Sequence, residues 1–313
     1  MPVNSAAGYL NMLAWLQRGL ILCLVAAAVG WASWFDASAP WLAVAGVLII
    51  VFGFALLLAL EFVFLHFVNA ADPAPKPTLA SLVTAWWGEC VTAVQVFFWR
   101  QPFCANAVAD HVTPAGLVKG QRGIVFVHGF FCNRGLWTPW LRRLQGGNHA
   151  FIALSLEPIF GSIDDYAPDI EAAVEKMTQL TGMPPLLVCH SMGGLAARAW
   201  LKIMRADARV HHVVTIGTPH RGAWLARWGH GHNARQMRLL ADWHTQLEVD
   251  MPAGRHALFT CWYSNCDNLA FPSATATLPG ADNRLILGAA HVRLAFLPQV
   301  MEQTLAILER PQN

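Results

Sequence analysis

Between Gly19 and Leu60 the chain carries a single charged residue, Asp36. Residues 19–35, GLILCLVAAAVGWASWF, are uncharged and just long enough to cross a bilayer as a helix. Residues 41–60, WLAVAGVLIIVFGFALLLAL, form a second uncharged run, which EFVFLHFVNA extends beyond Glu61. Only the polar break DASAP separates the two. Runs joined this tightly predict a helical hairpin within residues 1–70, with spans at about 13–35 and 41–66 and both chain ends on one side. Trp31, Trp34 and Trp41 crowd the turn, and indoles favour the membrane–water interface. A cleaved signal peptide competes with this reading, because ASA at 37–39 resembles a cleavage site. Pro40 directly after it disfavours cleavage, and the next run is itself a full span. A buried soluble helix does not suit 41–60, which is too long and too evenly apolar.

Composition agrees: of 313 residues, 55% are apolar and 13% charged, so part of the chain is expected to meet lipid. A net charge of +2 without any basic run argues against a nucleic-acid partner. Arg18 precedes the first span, the turn has no Lys or Arg, and Lys76 and Arg100 follow the second. The positive-inside rule therefore predicts cytoplasmic ends, as for a two-span protein of a bacterial inner membrane. The seven cysteines are odd in number and scattered. Free thiols in a reducing compartment suit them better than a disulfide framework, although Cys261 and Cys266 are close enough in sequence to pair. No CxxC pair occurs, and His230, His232 and His244 have no carboxylate or cysteine at ligand spacing, so neither metal nor cofactor is expected.

Residues 71–119 begin with a Pro-rich linker, ADPAPKP, that cannot continue a helix. Apolar residues at Leu79, Leu82, Val83, Trp86, Val91, Val94, Phe97 and Phe98 then follow helical spacing. That helix either packs on the following domain or lies at the bilayer surface through Trp86, Trp87, Phe98 and Trp99. From about residue 120 the texture changes. GIVFVHG (123–129), AFIALSL (150–156), PLLVCHS, HHVVTIGTP (211–219), ALFTCWYSNCD (257–267) and NRLILGA (283–289) read as strands. A helical pattern at about 165–181 follows the second strand, MGGLAARAWLKIM follows the third, and a last one, PQVMEQTLAILER, follows the final strand. Such alternation predicts a mostly parallel sheet with helices on both faces over residues 120–313.

The strand LLVCH runs into SMGGLAARAW, a serine on a sharp turn followed at once by a helix. A serine hydroxyl is a poor nucleophile unless a base removes its proton and donors await the carbonyl oxygen. A strand–turn–helix corner exposes the hydroxyl of Ser191 and aims backbone N–H groups at the same point. The corner needs small residues two positions before and after the serine. Gly193 meets this need and Cys189 is small, while Gly194 lets the helix approach the sheet. In such an architecture one oxyanion donor follows the nucleophile and another follows the first strong strand, here the N–H groups of Met192 and Phe130 in VHGFFCNRGLW. His128 in that loop suits a bracing role better than that of base. The acid and base follow the serine in the order Asp or Glu, then His. His291 lies just after the last strand, and Asp267 ends the strand before it. A solvated turn aspartate is the plain alternative for Asp267, and Asp250, Asp282 and Glu248 are less apt because none ends a predicted strand.

HGF, HSMGG, IGTPHRG (216–222), SNCDNLAFP and GAAHVRLAFLPQV occur in the order and rough spacing of a known family. Over about residues 120–310 the chain resembles α/β-hydrolase-fold lipases and esterases, and within them the bacterial triacylglycerol-lipase-like group. The resemblance implies an α/β-hydrolase fold behind the hairpin, with Ser191 as nucleophile, Asp267 as triad acid and His291 as base. It also implies Phe130 and Met192 as the oxyanion pair. Many such lipases carry glycine where Cys189 stands, and the hairpin lies outside the resemblance. His220 and Arg221 in GTPHRG suit a structural role. Residues 221–256 would carry a helix with Met237, Leu240, Ala241, His244 and Leu247 on one face, either covering the sheet or acting as a lid. The expected activity is hydrolysis of carboxylic esters of apolar acyl chains at the membrane, with lipid or acyl-ester substrates. An acyltransferase or thioesterase on the same fold, or a non-enzymatic membrane scaffold, are the alternatives.

Overall fold

The structure, a computed structural model, describes residues 11–112 and 120–309. The first ten residues of the expected hairpin segment, residues 113–119 and the last four residues lie outside it. Two long helices open the described chain, α1 (Met12–Phe35) and α2 (Pro40–Val68). Asn11 caps α1 by accepting the Ala14 N–H, and Pro40 opens α2, where its fixed φ suits a first helical turn. The indole of Trp31 donates to Leu42 O across the turn at 2.8 Å. Both helices are long and apolar enough to cross a membrane, and most of their side chains face outward. Trp34 and Trp41 at the turn are 80% and 70% exposed.

The base of this hairpin is docked. Leu13, Ala14 and Gln17 of α1 and Phe62 and Leu65 of α2 are buried against the rest of the chain. After the Pro-rich segment, α3 (Leu79–Ala93) is capped by Thr78, runs into a π-helical stretch at Val94–Arg100, and ends in α4 (Gln101–Phe103). Both readings of this segment have a face here. Leu82, Ala85, Glu89, Cys90 and Val96 point inward, while Leu79, Val83, Trp87, Val94 and Trp99 are exposed.

Six strands follow: β1 (Ile124–Val127), β2 (Phe151–Ala153), β3 (Leu186–His190), β4 (His212–Ile216), β5 (Phe259–Ser264) and β6 (Asp282–Ile286). They pair in parallel throughout, in the order β2-β1-β3-β4-β5-β6. Alternate residues feed two cores, as the two-residue period of a strand requires. Val125, Leu187, Cys189 and Val213 face α6 (Ala167–Thr181) and α7 (Met192–Ile203). Phe126, Val188, Val214 and Ile216 face Trp137, the helix α5 (Thr138–Leu144) and the C-terminal segment. Sequence order reverses between β1 and β3, which makes this the switch point where ligands of open α/β sheets bind, beyond the carboxyl ends of the strands.

The insertion after β4 departs from expectation. Instead of one helix it forms two short ones, α8 (His232–Gln236) and α9 (Asp242–Glu248). Between them Leu240 takes φ 56°, and its N–H donates to Arg221 O, a bond outside the helical ladder. Met237, His244 and Leu247 are buried as expected, but Leu240 turns to solvent. The chain closes with α10 (His291–Leu294) and α11 (Pro298–Leu305).

Candidate active site

Ser191 stands between β3 and α7 with φ 54° and ψ −128°, a region that a residue with a Cβ seldom occupies. Its backbone is clamped on both sides: its N–H donates to Ile216 O at 2.9 Å, and Thr218 Oγ1 donates to its carbonyl at 2.8 Å. Gly193 and Gly194 open α7 and are buried. A Cβ on Gly193 would stand 2.3 Å from Val127 O, so the helix can start this close to β1 only without one. Cys189 is fully buried in the core beneath α7, and burial pushes its thiol well above the usual range. The strand's alternation aims it away from the corner, which removes it as a rival nucleophile.

The loop after β1 meets the same corner, since a Cβ on Gly129 would lie 2.7 Å from Ser191 Cβ. Phe130 and Phe131 follow Gly129, with Phe131 at φ 55°. His128 is enclosed and both its ring nitrogens are engaged: Nδ1–H donates to Gly129 O and Nε2 accepts the Leu156 N–H, each at 2.9 Å. Burial lowers its pKa to about 4, so it is a neutral brace of the loop.

The structure brings Asp267 and His291 together. Nδ1 of His291 lies 2.8 Å and 3.0 Å from the two Asp267 oxygens, and both residues are buried. Asp267 is thus no solvated turn residue. It sits three positions beyond the end of β5, and its Oδ1 also accepts the N–H groups of Leu269 and Ala270. Burial disfavours charge on both groups, but their pairing wins: the Asp267 pKa falls below, and the His291 pKa rises above, its ordinary value. His291 is the first residue of α10 rather than part of a loop. The pair faces the Ser191 corner across β4: Ser191 is bonded to Ile216, and at the next residue, Gly217 (φ 60°), a Cβ would meet Asp267 Oδ2 at 2.9 Å and His291 Nδ1 at 3.1 Å.

Reasoning from sequence missed three neighbours of this pair. His190, just before the candidate nucleophile, lays its ring 4.8 Å from that of His291. Asn268 accepts the His291 N–H, and the buried carboxylate of Glu89 accepts those of Val292 and Arg293. A lone carboxylate in an otherwise apolar helix was the visible signal for Glu89. His220 is also buried, with Nε2 3.1 Å from Thr215 Oγ1, and it braces the segment after β4.

The profile of the alpha/beta hydrolase family matches residues 124–308, more than half of the chain, including the six strands, Ser191, Asp267 and His291 but not Glu89 of α3. The chain belongs to the alpha/beta hydrolase family. A comparison with curated protein sequences finds no match. Among solved structures the chain is similar to the mature form of the Bacillus licheniformis lipase BlEst2, with a TM-score of 0.52 and 18% identity over 61% of this chain and 94% of that one. It is also similar to Aspergillus fumigatus lipase B, with a TM-score of 0.55 and 16% identity over 67% of this chain and 58% of that one. At such identities the likeness extends to the fold. The two long N-terminal helices of this alpha/beta hydrolase precede the family domain.

Proposed function

We propose that this chain is a membrane-anchored serine hydrolase that cleaves carboxylic esters of apolar acyl chains. One observation carries the reading: the strained corner at Ser191 and the buried Asp267–His291 pair meet at the carboxyl edge of one sheet, beside its switch point. In the proposed reaction His291 Nε2 takes the Ser191 proton as the hydroxyl attacks the ester carbonyl. Asp267 keeps the other imidazole proton on Nδ1 and stabilises the imidazolium that forms. The N–H of Met192, which as the first residue of α7 has no partner within its helix, receives the oxyanion together with the N–H of Phe130. The imidazolium then protonates the departing alcohol, and water repeats the sequence on the acyl-enzyme.

Membrane anchoring rests on the outward-facing hairpin. Gly19–Phe35 and Pro40–Leu60 would span ~25 Å and ~31 Å at 1.5 Å per residue, against ~30 Å of hydrocarbon. The helix α3 packs beside the lower part of the second, where the Trp86 indole donates to Ala55 O at 2.8 Å. Exposed Trp15, Trp87 and Trp99 lie near the hairpin's base, with the Arg18 guanidinium 4.9 Å from the Trp15 ring. Such aromatic–cationic pairs suit the headgroup layer. The start of α1 is bonded to the rest of the chain, with the Met12 N–H donating to Glu157 Oε1 of the domain, Gln17 Nε2 to Gln101 Oε1 and Arg18 Nε to Pro102 O of α4, which favours a retained helix over a cleaved leader. The charge bias around the spans favours the cytoplasmic side for the domain.

A fluorophosphonate probe applied to the full chain in detergent micelles should label Ser191, as peptide mapping would read. Labelling elsewhere, or none, refutes the assignment. The pH profile gives a second test. Only neutral His291 can accept the serine proton, and its pKa is raised. The kcat/KM for a p-nitrophenyl ester should therefore fall on the acid side with an apparent pKa above about 6.5, the ordinary histidine value. A limb centred below that value would show that the pair does not govern turnover.

A further inference from the structure

The loops that carry Asp267 and His291 are not held by the family domain alone. Asn268, fully buried beside Asp267, accepts the His291 N–H on Oδ1 at 3.1 Å and donates from Nδ2 to Glu61 Oε2 at 2.6 Å. Glu61 belongs to α2. From α3, Glu89 Oε1 accepts the Val292 N–H at 2.9 Å and Oε2 the Arg293 N–H at 3.1 Å, the two groups that follow His291 directly. Phe62 and Leu65 of α2 pack with Leu82 of α3 against Cys266, Phe271 and Ala290, which flank the same two loops. Past Asp267, Asn69 Oδ1 accepts the Ser273 N–H and Asp72 Oδ2 that of Ala274. All these N-terminal groups precede residue 124, where the family match begins.

We propose that Glu61 and Glu89 are positioning residues for His291 and Asp267, so that the docked base of the hairpin is a working part of the hydrolase site and not only an anchor. The physical reason is the accounting of buried donors. Asn268 and Val292 are buried and Arg293 is half-buried, so these donors are cut off from most of the solvent and need acceptors of fixed position. Glu61 and Glu89 are those acceptors. Remove either, and the freed donors seek new partners by moving the loop. Near-attack geometry between serine and imidazole does not tolerate such a shift. Glu61 lies on α2 and Glu89 on α3, which pack on one another through Phe62, Leu65 and Leu82. Undocking the two helices together would withdraw both carboxylates, which ties competence of the site to their seated state.

The inference rests on the serine-hydrolase reading, and the test separates the two. In the full chain in micelles, Glu89→Gln, Glu61→Leu and Glu61→Gln are compared with Ser191→Ala for ester hydrolysis and fluorophosphonate labelling. Glu89→Gln keeps one acceptor but turns an NH2 toward the other donor. Glu61→Leu removes the acceptor, and Glu61→Gln restores one. Glu89→Gln and Glu61→Leu should lower kcat and the labelling rate by roughly 10- to 100-fold with KM within about twofold, and Glu61→Gln should recover most of the Glu61→Leu loss. The acid-limb pKa should also move. Asp267, Glu89 and Glu61 present carboxylates to the imidazole, and the neutral His190 ring covers one of its sides. Burial raises the Glu89 pKa, while the Val292 and Arg293 N–H groups and His291 favour its carboxylate form; loss of that charge should therefore shift the limb toward lower pH. Apparent pKa and KM do not depend on how much protein folds, so both remain readable in a partly misfolded preparation. If these variants keep wild-type kcat and pH profile while Ser191→Ala is inactive, the positioning role is overturned and the hydrolase reading stands. If Ser191→Ala keeps its activity, the hydrolase reading itself fails.

Discussion

Replacing Ser191 with alanine is expected to lower kcat for a short-chain p-nitrophenyl ester by at least roughly 10⁴-fold, to the level that the oxyanion donors and binding alone can sustain. The change removes one oxygen and leaves the Cβ that the strained backbone already accommodates, and the clamps from Ile216 and Thr218 involve only main-chain atoms of Ser191. The variant should therefore unfold within a few degrees of wild type, and initial rates on protein matched for thermal stability isolate the chemistry. The alternative of a non-enzymatic scaffold on this fold predicts that neither protein turns over the ester. Residual hydrolysis near the wild-type rate would falsify the nucleophile assignment.

Asp267→Asn should cost on the order of 10⁴ in kcat while leaving the fold almost unchanged. The hydrogen bonds around the side chain decide how the amide orients. Oδ1 accepts two backbone N–H groups, from Leu269 at 3.0 Å and Ala270 at 2.7 Å, so the amide oxygen must occupy that position. The NH2 then takes the place of Oδ2, 3.0 Å from His291 Nδ1, while the amide oxygen, 2.8 Å from Nδ1, already accepts two N–H groups. The NH2 can donate only to an unprotonated Nδ1, which shifts the ring toward the wrong tautomer. An imidazole that accepts on Nδ1 carries its proton on Nε2, where it cannot take one from serine. Stopped assays at pH 7 to 9 measure the loss, and partial recovery at high pH is expected as hydroxide substitutes for the missing base. An Asp267→Asn enzyme with normal kcat would place the acid elsewhere.

Much of this site was legible from short-range pattern. The corner at Ser191 announces itself because a strand run, a small-residue requirement and a helical pattern are contiguous, and sterics at a tight turn act over five residues. The six strands were readable from apolar runs because both faces of a parallel sheet are buried. The candidate acid and base followed from chain order within that sheet. Other features were invisible to periodicity. The segment from Met237 to Leu247 has helical spacing, yet Leu240 breaks it, because Arg221 O captures its N–H across a loop. Spacing could not choose between a packed and an interfacial α3, since the helix is apolar on both sides and only its contacts divide them.

What the sequence by itself determined was a pair of long, strongly apolar helices followed by an alternating α/β domain, with the candidates Ser191, Asp267 and His291 in the chain order of a Ser–Asp–His site. Each follows from hydrophobic periodicity and local sterics, which operate within one element and its immediate turns. Only the tertiary structure decided that Asp267 and His291 pair out of contact with solvent and that α2 and α3 hydrogen-bond to the loops carrying them. Glu61 and Glu89 find their partners 207 and 203 residues along the chain. A contact at that separation leaves no mark on either segment beyond a solitary charge among apolar residues. Only once the elements have packed does burial give each charge an obligatory partner.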